Sequence, residues 1–152
     1  MGQQGWYPNS AAASHMTPDD FKLLSKSFYS GNTMVKVGDD NLVPISHTGT
    51  FVLPTRHKPL TLSNVLHVPK LQHNLLSIRQ LCRDNDCHVV FYFSCVHVKD
   101  NTTSNVLLQA SSSGLVYVVP VPTLSNSMPT NVILTELGNL WYCCWVTMKV
   151  AL

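Results

Sequence analysis

The sequence predicts an all-β domain carrying one or two short helices. Short runs rich in Val, Leu, Phe and Thr recur at spacings of about ten residues, the rhythm of a small barrel or sandwich. Clusters of Gly, Pro, Asn, Asp and Ser separate those runs. Hydrophobic residues make up 45% of the 152 and charged residues 12%, so a core can form.

Taken in chain order, Thr17-Pro18-Asp19-Asp20 predicts a helix start. Thr17 can cap, Pro18 needs no N–H at the first helical position, and the two acids meet the positive end of the dipole. That helix would run through Phe21-Lys22-Leu23-Leu24 and stop near Gly31. Met34–Val37 and Leu42–Ile45 flank Gly38-Asp39-Asp40-Asn41, a hairpin signal. Thr48–Leu53 is the next strand, closed by Pro54, and Leu60–Val68 follows, closed by Pro69. Asn74–Cys82 spaces its apolar residues like a helix, with Asn74 as the cap. His88–Phe93, Cys95–Val98, Val106–Leu108 and Val116–Val119 complete the strands, with turns at Asp100–Thr103 and Ser111–Gly114. The domain is expected to span residues 6–122, because Pro120-Val121-Pro122 breaks the last strand.

Bulk composition removes several function classes. A net charge of +2 gives no electrostatic footprint for nucleic acid. Five cysteines without a C-x-x-C spacing argue against a disulfide framework or a zinc ribbon. Reduced thiols in an intracellular, cytoplasmic protein are the simpler expectation. The seven histidines form no H-x-x-x-H or H-E-x-x-H pair, so neither metal nor cofactor is expected. His47 and His67, in apolar strand segments, read as satisfied core or edge histidines. The longest apolar stretch, Leu137 to Met148, is too short to cross a bilayer.

Residues 6 to 17, Trp6-Tyr7-Pro8-Asn9-Ser10-Ala11-Ala12-Ala13-Ser14-His15-Met16-Thr17, resemble the W-Y-P-D-S-G-A-[ST]-x-H-M-T segment of the protease domain in plant copia-type retrotransposon Gag-Pol polyproteins. Further segments follow in the same order. Val37-Gly38-Asp39 resembles a V-G-D/N-G turn, with Asp40 where Gly is usual. Pro44–Gly49 resembles I-x-H-x-G, and Leu62–Pro69 resembles L-x-N-V-L-H-V-P. Asn74–Ile78 resembles N-L-[LI]-S-V, and Ser113–Tyr117 is similar to a closing G-L-Y. The resemblance covers about residues 6 to 120 and implies a retropepsin-like aspartic protease barrel.

In that family the Asp of the opening loop is the catalytic carboxylate, and two of them meet across a homodimer to share a proton. Here the position holds Asn9, followed by Ser10 and by Ala11 in place of Gly. An amide neither takes nor gives a proton in the working range, so the resemblance implies an inactive site. Ala11 is expected to add a steric cost, so that Asn9→Asp restores cleavage only together with Ala11→Gly. The late apolar-apolar-x-Gly segment that packs beneath the family's active-site loops is matched to Val106–Ala110, with Ala110 for Gly. The hairpin residues Val37, Gly38, Asp39 and Asp40 correspond to a flap over substrate. Implied partners are a second copy of the chain and a polyprotein-derived peptide, with neither nucleic acid nor membrane. The class alternative is a non-enzymatic dimerisation or peptide-binding module. Ser10, Ser14 and His15 could suggest a serine nucleophile and base, but neighbours in sequence seldom converge into a triad.

Residues 1–5 are expected to be a leader remnant, and 123–152 a linker and poorly ordered tail. Leu140-Trp141 matches the first residues of the family's L-W-H-x-R-L-G-H-P, and codons for Leu-Gly-His-Pro read out of phase can give Trp145-Val146-Thr147. A frameshift after Trp141 is the expected account, with a native amphipathic segment as the alternative.

Overall fold

The computed structural model describes residues 5–21, 23–38 and 40–121. The expected leader (residues 1–4 of it) and the linker, tail and frameshift after residue 121 lie outside the described residues. Within the described residues no helix is long and apolar enough to cross a membrane.

Among the described residues, twelve strands and one helix are formed. They run β1 (Trp6–Asn9), β2 (Met16–Thr17), β3 (Leu24–Phe28), β4 (Met34–Lys36), β5 (Leu42–Pro44), β6 (His47–Leu53), β7 (Leu60–His67), β8 (Asn74–Ser77), α1 (Ile78–Asn85), β9 (Cys87–Phe91), β10 (Cys95–Asp100), β11 (Val106–Ser113) and β12 (Val116–Tyr117). The all-β expectation holds. Six strands form one sheet in the order β1-β8-β2-β7-β6-β3, four form a second in the order β12-β11-β10-β9, and β4-β5 stand as a two-stranded ribbon.

The two larger sheets enclose one core. Alternation along β6 and β7 sends Phe51, Leu53, Leu60, Leu62 and Val65 inward. Val96 and Val98 of β10 and Leu107 of β11 meet them. Trp6 seals one side: its N–H and carbonyl pair reciprocally with the carbonyl and N–H of Val119, each at 2.8 Å, stitching the first strand to the end of the domain. Ala110 is buried in this core and pairs with Val96. The ribbon has a satellite core of Val35, Val43 and Val68.

Two predicted helices are corrected. Between β2 and β3 the described residues, 18–21 and 23, hold a bend and a turn rather than a helix. Thr17 Oγ1 accepts from the Asp19 N–H (3.1 Å) and Asp19 Oδ1 from the Phe21 N–H (3.0 Å), so the capping chemistry is present. What is missing is an apolar face to bury: Leu23 is buried, but Phe21 is 90% exposed and Leu24 56%. Leu24–Phe28 instead pairs with β6 as an edge strand. In the second case Asn74–Ser77 is a strand, parallel to β1, and the helix starts only at Ile78. Its cap is Ser77, whose Oγ accepts the Gln80 N–H at 3.3 Å. Asn74 is occupied elsewhere, donating to the Gly5 carbonyl (3.1 Å) and accepting from the Thr17 hydroxyl (2.7 Å).

Candidate functional site

The loop after β1 is anchored by side chains far away in sequence. Parallel pairing sets Asn9 opposite Ser77, where β8 gives way to α1. The Ser77 hydroxyl donates to the Ala12 carbonyl (2.7 Å), and the Ser77 N–H donates to His15 Nδ1 (3.1 Å). Gln80 Oε1 accepts the His15 N–H at 3.3 Å, while Gln80 Nε2 donates to the Ser63 carbonyl. One junction therefore binds the loop at its middle and at its end. Met16 and Thr17 continue it as β2, wedged between β8 and β7.

Asn9 closes a tight turn at the head of the loop. Its Oδ1 accepts from the N–H groups of Ala11 (2.8 Å) and Ala12 (3.1 Å). Two converging amides would suit a carboxylate oxygen equally well, and would favour its ionised form. The Nδ2 end can only donate. Ser10 and Ala11 are exposed. Ala11 is not among the residues with positive φ, so no left-handed backbone strain arises at it in this turn.

His15 faces inward. It is fully buried, edge-on to Trp6 at a ring separation of 6.4 Å. Burial lowers its pKa from 6.5 to about 4, opposed by the nearby Asp84 carboxylate and aided by Arg83. With Nδ1 taken by the Ser77 amide, it serves the fold and not the exposed Ser10.

The ribbon tip holds Val37, Gly38 and Asp40, while Asp39 lies outside the described residues. Asp40 adopts φ 63°, the Val37 carbonyl accepts its N–H (2.9 Å), and its carboxylate pairs with Lys36 (2.7 Å) in the open. The ribbon rests on the exit of the loop, because Met16 and Leu66 pack against the Val35–Val43–Val68 cluster. The segment laid beside the loop is Leu75–Ser77, whereas Ala110 lies in the other sheet. Ser77 and Gln80 were missed as anchors. Their spacing, Ser77-Ile78-Arg79-Gln80, is the S-x-x-Q of a capping box and could have marked the junction.

The remaining acids among the described residues are engaged away from Asn9. Asp19 turns on Phe21, Asp20 pairs with Lys26, and Asp84 accepts from Arg83 Nε. Asp86 accepts from Asn101, and Asp100 caps its own turn through the amides of Thr102 and Thr103. The Cys82 and Cys87 thiols are free and both pushed up by burial, Cys87 to about 12.

Comparison with known proteins agrees with this architecture. A family model described as Pol polyprotein, beta-barrel domain, matches residues 6–87. The retrovirus-related Pol polyprotein from transposon RE1 of Arabidopsis thaliana is 34% identical over 140 residues, 92% of this chain and 9% of the relative. The corresponding polyprotein from transposon RE2 of the same plant is 36% identical over 116 residues, 76% of this chain and 8% of the relative. The chain thus spans less than a tenth of either relative's length. No solved structure matches it. A strand-built domain whose opening loop is clasped by the β8–α1 junction, with this match over its first half, belongs to the β-barrel domain family of retrotransposon Pol polyproteins.

Proposed function

We propose that this domain descends from a copia-type aspartic endopeptidase, the activity that matures a Gag-Pol polyprotein, and that it no longer cuts. The observation that carries the reading is Asn9. It occupies the family's carboxylate position in a turn whose amides suit a carboxylate, yet it offers no acid or base. A homodimer would bring together two such amides, leaving water unactivated and the scissile carbonyl unprotonated. A peptidase assay over about pH 4 to 7, with a pepstatin-type inhibitor as control, tests this against the pH range of acid dyads. The expected result is no inhibitor-sensitive cleavage by the native chain. Cleavage that the inhibitor abolishes would end the inactive reading.

Because Ala11 sits without positive φ, the turn can accept Asn9→Asp unchanged. Asn9→Asp alone and Asn9→Asp with Ala11→Gly are therefore both informative. Recovery in the single variant assigns the loss to the missing carboxylate, and recovery only in the double variant restores a role for Gly.

A second reading, a dimerisation or peptide-binding module, is favoured by β3. All five residues of this edge strand are exposed, with Phe28 84% exposed at one end. Such an edge suits strand addition by a peptide or a second copy. Sedimentation of the native chain decides the dimer half: a monomer at high concentration removes it.

A further inference from the structure

We propose that Asp20, His47 and His67 form a binding site for a divalent first-row transition ion of the Zn2+ class, clipping the turn after β2 onto the β6–β7 sheet. One donor atom from each of the three lies within 4.8 Å of those of the other two. The histidines come from different strands and are directly opposed, His47 on β6 against His67 on β7, with rings 5.7 Å apart. Asp20 arrives from the turn that links β2 to β3. Gly49 permits that approach: a Cβ there would lie 3.0 Å from the Leu24 carbonyl oxygen and 3.1 Å from Leu23 Cβ. The chain just after Asp20 therefore lies directly against β6.

The hydrogen bonds suit ligation. A metal-binding imidazole commonly has its other nitrogen held by a neighbouring polar group. His47 Nδ1 lies 2.8 Å from the Ser46 hydroxyl, and in the tautomer that donates Nδ1–H to that oxygen Nε2 keeps its lone pair for a metal. His67 Nε2 lies 3.3 Å from the Pro18 carbonyl. A carbonyl only accepts, so that nitrogen carries the proton and Nδ1 keeps the lone pair. His67 Nδ1 is buried and has no hydrogen-bond partner, a cost that a bound cation would remove. Phe28 covers the His47 ring at 4.6 Å, giving the site an apolar side.

Two imidazoles and a carboxylate are the donor set of three-ligand zinc sites and of the facial triad of divalent iron. N and O ligands at about 2.0–2.2 Å hold their donor atoms roughly 3–3.5 Å apart, so the set must contract by up to about 1.3–1.8 Å on binding. Asp20 supplies that movement by leaving Lys26, its partner at 3.3 Å. Lys26 is thus a built-in competitor. Binding would also stiffen the exit of the Asn9 loop, because Thr17 pairs with His67 in the parallel β2–β7 ladder. This proposal does not rest on the protease reading.

The test is titration of the purified 152-residue chain with Zn2+, followed by calorimetry, with Co2+ spectroscopy reporting the donor type. One equivalent of Zn2+ should bind and raise the Tm. His67→Ala, His47→Ala and Asp20→Asn should each weaken that equivalent by at least about tenfold, while His73→Ala and His88→Ala leave it unchanged. Lys26→Gln, an exposed change that spares the fold, should tighten it severalfold by removing the competing cation. The Co2+ complex should lack thiolate charge-transfer bands. Failure of Lys26→Gln to tighten binding, Zn2+ affinity unchanged in His67→Ala, thiolate bands, or no one-equivalent binding by the native chain would each overturn the site.

Discussion

The loop after β1 and the β4–β5 ribbon are both implied parts of one site, yet they are held in opposite ways. The loop is bound at Ala12 and at its own His15 by Ser77 and Gln80, partners more than sixty residues away, and its floor is the main core. The ribbon is held by a local turn, an exposed ion pair and a small cluster in which its Val35 and Val43 meet Val68. The contrast separates shape from chemistry. Shape is over-determined at the loop, whatever group stands at its head. The amide oxygen of Asn9 makes a turn that a carboxylate oxygen would make equally well, so amide and acid can exchange there at little structural cost.

The comparison breaks most readily at Leu76, 1% exposed on β8 beneath the loop. Leu76→Ala should cost about 2–5 kcal/mol in urea unfolding, the range for a buried leucine cavity. A cost near that of a ribbon valine would mean the loop is no better anchored than the ribbon. Next comes pH. His15 holds its proton less well folded, at about 4, than unfolded, at 6.5. Its contribution is therefore complete above 6.5 and is lost as pH falls toward 4, approaching about 3 kcal/mol. His97, also lowered by burial and then by Lys99, adds to the slope in the same direction. His15→Gln, which keeps an acceptor for the Ser77 N–H, should flatten the stability curve between those limits but not abolish its slope. An unchanged curve would show that His15 takes up its proton alike in the folded and unfolded chain.

The same contrast governs what could be read from the sequence. The long antiparallel strands were legible because Leu60–His67 and His47–Leu53 bury alternate residues beside a chain neighbour. The ribbon was legible because its turn signal is local. Asn74–Ser77 was not, since its parallel partner β1 lies far back in the chain and Asn-Leu-Leu-Ser carries no alternation. At Thr17–Asp20 the caps were read correctly, but a cap cannot extend a helix that has no apolar stripe to bury. Asn9 is matched to the family's Asp position by resemblance alone, and the structure adds what no spacing reveals: the amides that hold its side chain.

At the junction, Ser77→Ala removes a helix cap and the bond to the Ala12 carbonyl together. The expected loss is about 1–2 kcal/mol, with faster hydrogen exchange at Ala12 and Gln80. Exchange that quickens across the whole chain and not at these amides would show that the junction has no local role.

The smallest effect sharpens the contrast best, because it concerns the ribbon alone. Lys36 and Asp40 pair at 2.7 Å, with side chains 65% and 84% exposed. An ion pair so open to water is worth about 0–0.5 kcal/mol, since screening and side-chain entropy cancel most of the attraction. Lys36→Met should leave global unfolding unchanged. Val43→Ala, by contrast, opens the satellite cluster of Val35, Val43 and Val68 and should cost about 1 kcal/mol. Its exchange changes should be confined to the ribbon and to Met16 and Leu66, the residues that join the ribbon to the loop. If exchange instead rose at Asn9–Ala12 as much as in the ribbon, the two regions would be one cooperative unit, and their separate anchoring would be the wrong description.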